Sequence, residues 1–227
     1  MSQVSIINTH DGSHSLFHSE INETYHSIHG ALQESRHVFI EHGLHYLQNK
    51  FGRKALSVFE VGFGTGLNAL LAAEFAEKHH IAIHYCAIET FPLSWEMAAQ
   101  LNYARLLEWG DAAEVFKNIH LSDWDTDEQI TKFFSLQKIK GSVHDYVIPA
   151  KYDCIFFDAF APEKQPEMWT QDVLAKATDG LNDGGVLVTY CAKGQLRRDL
   201  ASLQLKVEKL PGPPGKREMT RALRNFD

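Results

Sequence analysis

Three acids and three glycines stand at spacings that can do chemistry. Glu60 lies two residues before Gly62 in "VFEVGFGTGLN", where Gly62, Gly64 and Gly66 make a G-x-G-x-G run. Glu89 closes the apolar stretch "IAIHYCAIE", and Asp158 closes "YDCIFFDAF", inside Asp158-Ala159-Phe160-Ala161-Pro162. Glycines at such spacing let the backbone turn tightly and approach a ligand with no Cβ in the way. A helix that starts just after them turns unpaired amides toward that ligand. A carboxylate that ends an apolar strand, beside an aromatic ring on a proline-stiffened loop, can accept a hydrogen bond or a proton. The same residue can instead cap a helix or pair with Arg197 or Arg198.

Positioning these groups requires a particular order of elements. "ALSVFEVG" reads as a strand and "TGLNALLAAEFAEKH" as a helix starting near Thr65. "IAIHYCAIE" is a second strand, and "SWEMAAQLNYARLLEW" a second helix. "LQKIKGS", "YDCIFFDAF" and "GGVLVTYCA" follow as strands, with helices from about Pro166 to Ala177 and from Gly194 to Ser202. Strands alternating with helices imply a parallel sheet covered on both faces. "LQLKVEKL" and "EMTRALRN" are joined only by a loop, so they pair antiparallel. The expected class is therefore α/β, mostly parallel with an antiparallel edge strand. In front of this core, Val4 to Ile7 and Ser15 to His18 flank an Asp-Gly hairpin turn, and a helix runs from Ala31 to about Gln48, with Gly43 weakening it. Within residues 108–135, "LSDWDTDEQITKFF" is expected to hold a short helix.

The glycine run departs by one residue from the dinucleotide fingerprint G-x-G-x-x-G. The acid at Glu60 suits a positively charged ligand, which a pyrophosphate is not. Those two features point to S-adenosylmethionine, with its ammonium and sulfonium, and away from a nicotinamide cofactor. Glu89, at the end of the second strand, is placed to accept both hydroxyls of a ribose.

Composition narrows the class further. The chain has 227 residues, 44% hydrophobic and 22% charged, the profile of a folded protein. No stretch approaches the roughly 18 apolar residues of a membrane helix, and the polar start "MSQVSIINTHDGSHS" has no signal-peptide pattern. Cys86, Cys154 and Cys191 are far apart and read as core thiols of a reducing compartment. The thirteen histidines show no metal-ligand spacing, so no metal is expected. The net charge of −7 argues against a general nucleic-acid binder. It is uneven, however: residues 190–227 hold nine Lys/Arg against four Asp/Glu, a net +5, leaving −12 on the rest. That basic region is either a contact surface for phosphates or a solvated face.

With "YHSIHGALQESRHVF", "EVGFGTGLN", "ETFPL", "DAFAPEKQPEMWT", "LRRDL" and "GKREM" in view, the chain resembles the S-adenosylmethionine-dependent methyltransferase domain of the MnmC family, which finishes 5-methylaminomethyl-2-thiouridine at the tRNA wobble position. The resemblance implies a Rossmann-like class I methyltransferase fold with a seven-stranded sheet. It implies one domain over 1–227, with 1–50 forming part of the substrate pocket and 51–227 the cofactor-binding core. It also implies a cytoplasmic enzyme that methylates the 5-aminomethyl group of the wobble uridine in the tRNA anticodon arm. Family members with both activities continue into a flavin-dependent oxidase; this sequence stops at Asp227, which implies methylation only.

The residues implied follow from the matched motifs. Asp158 is the catalytic candidate: methyl transfer needs a neutral amine whose lone pair points at the sulfonium methyl, and a carboxylate can aim it. Glu60, Gly62, Gly64, Gly66, Asn68, Glu89 and Thr90 are the cofactor candidates. Ser142 stands near the adenine where the class usually has an acid, with Asp145 close by. Phe160 is placed to stack on the uracil, and Tyr25, Glu34 and Arg36 to form one wall of the pocket; packing of the N-terminal element is the alternative for Tyr25 and Arg36. Lys193, Arg197, Arg198, Lys216 and Arg217 are the candidate phosphate contacts. A small-amine methyltransferase or aminopropyltransferase on the same fold is the competing enzyme, and a non-catalytic binding module the competing class.

Overall fold

The computed structural model describes residues 4–149 and 151–225. Met1 to Gln3 of the polar start and the terminal Asp227 lie outside the described residues.

Residues 4–24 form a small antiparallel sheet of β1 (Val4–Asn8), β2 (His14–His18) and β3 (Glu23–Thr24). Its Asp-Gly turn also starts the next helix. The Asp11 carboxylate accepts the Gln33 amide at 3.0 Å, and Ser13 Oγ accepts those of Ala31 and Leu32 at 3.1 and 3.3 Å. These amides would otherwise be unpaired at the helix start. The helical run covers residues 31–51, with α-helix over Ala31–Ser35, a π-helix over Arg36–His45 and α-helix again over Tyr46–Phe51.

The main sheet holds β4 (Ala55–Val61), β5 (Ala82–Glu89), β6 (Asp127–Gln129), β7 (Phe134–Lys140), β8 (Tyr152–Phe157), β9 (Leu181–Thr189), β10 (Lys206–Pro211) and β11 (Glu218–Leu223). Their order is β10-β11-β9-β8-β4-β5-β7-β6. The five strands from β9 to β7 in that order are parallel, as the alternation of strands and helices requires. The expected pairing of the last two strands is antiparallel, but β11 inserts between β10 and β9 instead of lying at the edge.

Residues 108–135 correct the sequence expectation. The helix there is Ala112–Leu121, with Ala112, Val115, Phe116 and Ile119 buried along one side, and not "LSDWDTDEQITKFF". That stretch instead supplies β6, antiparallel to β7, so the sheet has eight strands and an antiparallel strand at the opposite edge. The expected long helix after β5 breaks into Trp95–Ala98 and Tyr103–Leu106.

Each central strand sorts its side chains to two cores. Leu56 and Val58 of β4, and Cys154 and Phe156 of β8, face the helices Leu67–His79 and 31–51. Phe59, Val61, Ile155 and Phe157 face Gln171–Asp179 and Gly194–Ser202. All six residues of β8 are buried, as a strand covered on both faces requires. Gly43, which weakens the helix in the sequence, has a packing role. A Cβ there would lie 3.1 Å from Cys154 Sγ and 3.2 Å from the Phe156 ring. Gly43→Val should therefore overpack this contact and cost about 1–3 kcal/mol, read as a lower midpoint in denaturant unfolding; an unchanged midpoint would show that the helix can shift without penalty.

Candidate active site

Because β4, β5, β7, β8 and β9 are parallel, their carboxyl ends open on one edge of the sheet, where ligands of such sheets sit. A cavity of about 460 Å³ occupies that edge. It is lined by Gly62 to Thr65 after β4, Ile88 to Phe91 at the end of β5, Gly141 and Val143 after β7, Asp158 to Ala161 after β8, and Tyr190 after β9. The N-terminal element closes it with Tyr25 to Ile28 and Glu34. Lys216 reaches it from the loop between β10 and β11.

Gly62 has φ +93, and a Cβ there would fall 2.8 Å from the Asp158 carbonyl oxygen, so only glycine lets the β4 and β8 loops meet. The helix Leu67–His79 then presents Asn68 in its first turn. The Asn68 side-chain amide donates at 2.8 Å to Glu60 Oε1 and at 2.8 Å to Asp158 Oδ2. Glu60 is fully buried behind the cavity, and its Oε2 has no hydrogen-bond partner among the described residues. Burial first, then Asp158, push the Glu60 carboxyl well above the usual range, which favours its protonated form. Asp158 is pushed up to about 7, by burial and then by Glu34, against the Asn68 hydrogen bond and Lys216. Glu89 accepts the Gly64 amide at 2.9 Å and the Phe91 amide at 2.8 Å.

The loop that carries Asp158 is pinned from two sides. Trp169 Nε1 donates to the Phe160 carbonyl at 2.7 Å, and the Tyr190 hydroxyl to the Ala159 carbonyl at 2.8 Å. The Phe160 ring meets Tyr25 edge to face, with centroids 5.1 Å apart. Across the cavity, Lys216 is ion-paired with Glu34, and its Nζ stands 3.9 Å from the centroid of the Tyr190 ring.

The structure sorts the sequence candidates. Asp158, Gly62, Gly64, Asn68, Glu89, Thr90, Tyr25, Glu34, Phe160 and Lys216 line the cavity together. Glu60 and Gly66 lie just behind it, and Ser142 is not among the lining residues: its hydroxyl accepts the His144 amide at 3.2 Å. Arg36, expected in the pocket wall, instead bonds Glu74 at 3.0 Å on the outer surface. Arg197 is spent on Glu218 at 2.7 Å and Thr220 at 3.1 Å, fixing the start of β11. Arg198 bonds Gln195 at 2.7 Å. Both arginines thus have partners other than Asp158, whose side chain bonds Asn68. Lys193, Lys216 and Arg217 line a second groove that adjoins the cavity at Ala161 and Tyr190; Glu163, paired with Lys193, and Glu218 line it too.

Two residues escaped sequence reasoning. Tyr190 ends β9 as Asp158 ends β8, and the same position rule could have found it. His26 has no such signal. Its Nε2 lies 2.7 Å from Thr65 Oγ1, tying the N-terminal element to the glycine loop, and burial lowers its pKa to about 4, so it is neutral.

The cavity's donor set fits a cationic cofactor. Its lining carboxylates Glu23, Glu34, Glu89 and Asp158 face Lys216, neutral His26 and, at the rim, His18. An ammonium and sulfonium suit that field, whereas a pyrophosphate would be repelled.

Residues 98–225 match the family of S-adenosyl-L-methionine-dependent methyltransferases, and the chain belongs to that family. Its curated relatives include the tRNA 5-methylaminomethyl-2-thiouridine biosynthesis bifunctional protein MnmC of Leptospira interrogans, 32% identical over 215 residues that cover 88% of this chain and 32% of the relative. The MnmC of Chromobacterium violaceum is 29% identical over 209 residues, 87% of this chain and 31% of the relative. The chain thus spans about a third of the length of these relatives. Among solved structures, MnmC2 from Aquifex aeolicus superposes with a TM-score of 0.77 at 25% identity, covering 100% of this chain and 74% of that one. Spermidine synthase from Thermotoga maritima shares the fold, with a TM-score of 0.56 at 11% identity over 96% of this chain and 67% of that one.

The raised Asp158 pKa has a stability consequence with a definite sign. A carboxyl that titrates near 7 in the fold and near 3.8 unfolded holds its proton more tightly when folded. Folding is then favoured at low pH, and that advantage is lost as pH rises from about 4 to about 7. Asp158→Asn keeps the acceptor for Asn68 and removes the charge. It should be more stable than the parent at pH 8, by up to about 4 kcal/mol, and nearly equal to it at pH 4. Melting curves across this range check the trend, and a gap that does not grow with pH would place the Asp158 pKa near its ordinary value.

Proposed function

We propose that this protein transfers a methyl group from S-adenosylmethionine to the amine of a 5-aminomethyl group on the wobble uridine of tRNA. The observation that carries the reading is Asp158: an acid titrating near neutrality, fixed by Asn68, at the floor of a cavity walled by Tyr25, Phe160 and Tyr190. The names of the MnmC relatives and the MnmC2 structure support the substrate.

When bound, S-adenosylmethionine supplies an electrophilic methyl on a sulfonium. The glycine loop with Asn68, Glu89 and Thr90 is assigned to hold it, Glu89 toward the ribose hydroxyls. Glu60 backs this loop through Asn68. Asn68 occupies Asp158 Oδ2, which leaves Oδ1 to accept an N–H of the substrate amine and orient its lone pair. A carboxyl poised near 7 also takes up the proton that the amine must lose. Phe160 and Tyr25 offer ring faces and edges to a base already splayed out in a loop, which avoids extracting a paired one. Residues 1–50 serve as the substrate wall and 51–227 as the cofactor core of one domain, at work in the cytoplasm.

The aminopropyltransferase reading shares the fold and an acid at the end of β8. The groove beside the cavity, with Arg217 and with Lys193 in an exposed pair with Glu163 that a phosphate can displace, favours a polynucleotide over a small amine.

The decisive measurement is mass spectrometry of wobble nucleosides after incubation with S-adenosylmethionine and tRNA bearing 5-aminomethyluridine. A mass gain of one methyl at that nucleoside is expected. Asp158→Asn should retain cofactor binding and lose on the order of 10²-fold in rate; in the parent, the rate should fall as pH drops below about 7, where Asp158 gains its proton. No methylated nucleoside from the parent would discard the reading.

The groove generates a separate expectation. Lys193→Glu with Arg217→Glu should weaken tRNA binding and shrink the slope of log affinity against log salt, because fewer phosphates are neutralised. Cofactor affinity should not change. Lys216 is left out of this variant, since its partner Glu34 is buried inside the cavity, whereas Glu163, the partner of Lys193, is exposed in the groove. A parent-like salt slope would move the RNA to another face.

A further inference from the structure

The catalytic cavity and the basic groove share one charged side chain. Lys216 lines both. Its ammonium rests against the Glu34 carboxylate and the Tyr190 ring, while the groove beside it holds Arg217, the Lys193–Glu163 ion pair and Glu218, which is held by Arg197. The Glu34 side chain is only 7% exposed, and its other oxygen accepts the Ser27 amide at 2.8 Å, so it cannot turn to water. Asp158 lines the same cavity as Glu34, Tyr190 and Lys216; Glu34 raises its pKa and Lys216 lowers it.

A carboxylate and an aromatic face, with a second carboxylate in reach, make a site for a protonated alkylamine. We propose that Lys216 occupies the subsite of the substrate's ammonium in the free protein, and that Glu34, Tyr190 and Asp158 receive the substrate's aminomethyl group when Lys216 leaves for the phosphate groove. The inference rests on the amine-methylating reading above and adds a device for choosing polynucleotides.

The choice follows from what each partial ligand leaves unpaired. Withdrawing Lys216 alone strands a nearly buried carboxylate, which is costly. A phosphate that draws Lys216 into the groove without supplying an amine leaves Glu34 in that state. A free aminomethyl nucleoside must expel Lys216 with nothing in the groove to receive it. Only a ligand with both an ammonium and a neighbouring phosphate satisfies Glu34 and Lys216 together. Specificity then arises from a penalty on incomplete ligands as much as from contacts to the complete one. Lys216 has the reach for the exchange, with four flexible methylene groups.

The test is binding at neutral pH, with S-adenosylhomocysteine present, of three probes: 5-aminomethyluridine, 5-hydroxymethyluridine and an anticodon stem–loop carrying 5-aminomethyluridine. Lys216→Met keeps the stem over Tyr190 and removes the charge. It should bind 5-aminomethyluridine about tenfold or more tighter than the parent, a gain of one decade in Kd, while the hydroxymethyl analogue is unchanged and the stem–loop binds more weakly. Glu34→Gln should lose the preference for amine over alcohol. A merely structural role for Lys216 would weaken the nucleoside and the stem–loop together. Should the methionine variant not fold, Lys216→Gln takes its place. If the parent binds the stem–loop but neither Lys216 variant gains affinity for 5-aminomethyluridine, the exchange is overturned and the substrate reading stands. If no probe binds any form that still binds S-adenosylhomocysteine, the substrate reading falls and the exchange with it.

Discussion

One side-chain amide holds two acids in place at the floor of the cavity. Asn68 donates both its protons, one to Glu60 and one to Asp158, from the first turn of the helix that follows the glycine loop. The two acids come from neighbouring parallel strands, and both side chains point to the same face of the sheet. Without a shared donor they would repel each other in a region that water scarcely reaches. The Asn68 hydrogen bonds pull both acids down, yet burial still drives Glu60 toward its neutral form and, with Glu34, lifts Asp158 to about 7. The cavity therefore carries an acid that changes charge near physiological pH and a neutral one behind it. The amide sets this arrangement only because Gly62 lets the β4 and β8 loops touch.

The N-terminal element depends on the same edge of the sheet. Tyr25 meets Phe160, His26 bonds Thr65 of the glycine loop, and Glu34 pairs with Lys216 from the loop after β10. Segments far apart in sequence are thus closed over the strand ends by an aromatic contact, a neutral hydrogen bond and an ion pair. Each of these contacts joins a covering segment to a residue that lines the cavity. Stability of the cover and composition of the site are set by the same side chains, so a substitution in the cover reports on both.

Much of this arrangement was legible in the sequence, for physical reasons that can be named. The parallel strands are nearly continuous apolar runs, and an acid at the end of such a run stands out; Glu89 and Asp158 were found that way. The glycine run fixed where the chain turns back on itself. The helix Ala112–Leu121 was legible by its spacing of Ala112, Val115, Phe116 and Ile119, but the acidic stretch after it drew the helix assignment too far along. β6 was not legible, because its three residues, Asp127 to Gln129, are all polar and pair only at the sheet edge. Nor could sequence tell which cations were spent. Arg36, Arg197, Arg198 and Lys193 look as available as Arg217 until their partners Glu74, Glu218, Gln195 and Glu163 are seen. Such pairings are long-range or depend on rotamers, and carry no local pattern.

The cofactor and substrate sides of the cavity are also distinct in their electrostatics. On the cofactor side, the Glu89 oxygens already accept the Gly64 and Phe91 amides, so that carboxylate is aimed before any ligand arrives. On the substrate side, the Glu34 carboxylate is matched to Lys216, which reaches in from the loop between β10 and β11, and Asp158 is left partly uncompensated. A fixed carboxylate suits a ligand that must bind in one orientation. An exchangeable ion pair suits a ligand that must be recognised by charge in one place and by phosphate in another. The fold supplies both from one sheet edge, because the loop after β4 is tied to its own helix, whereas the loop after β10 reaches over from the antiparallel side.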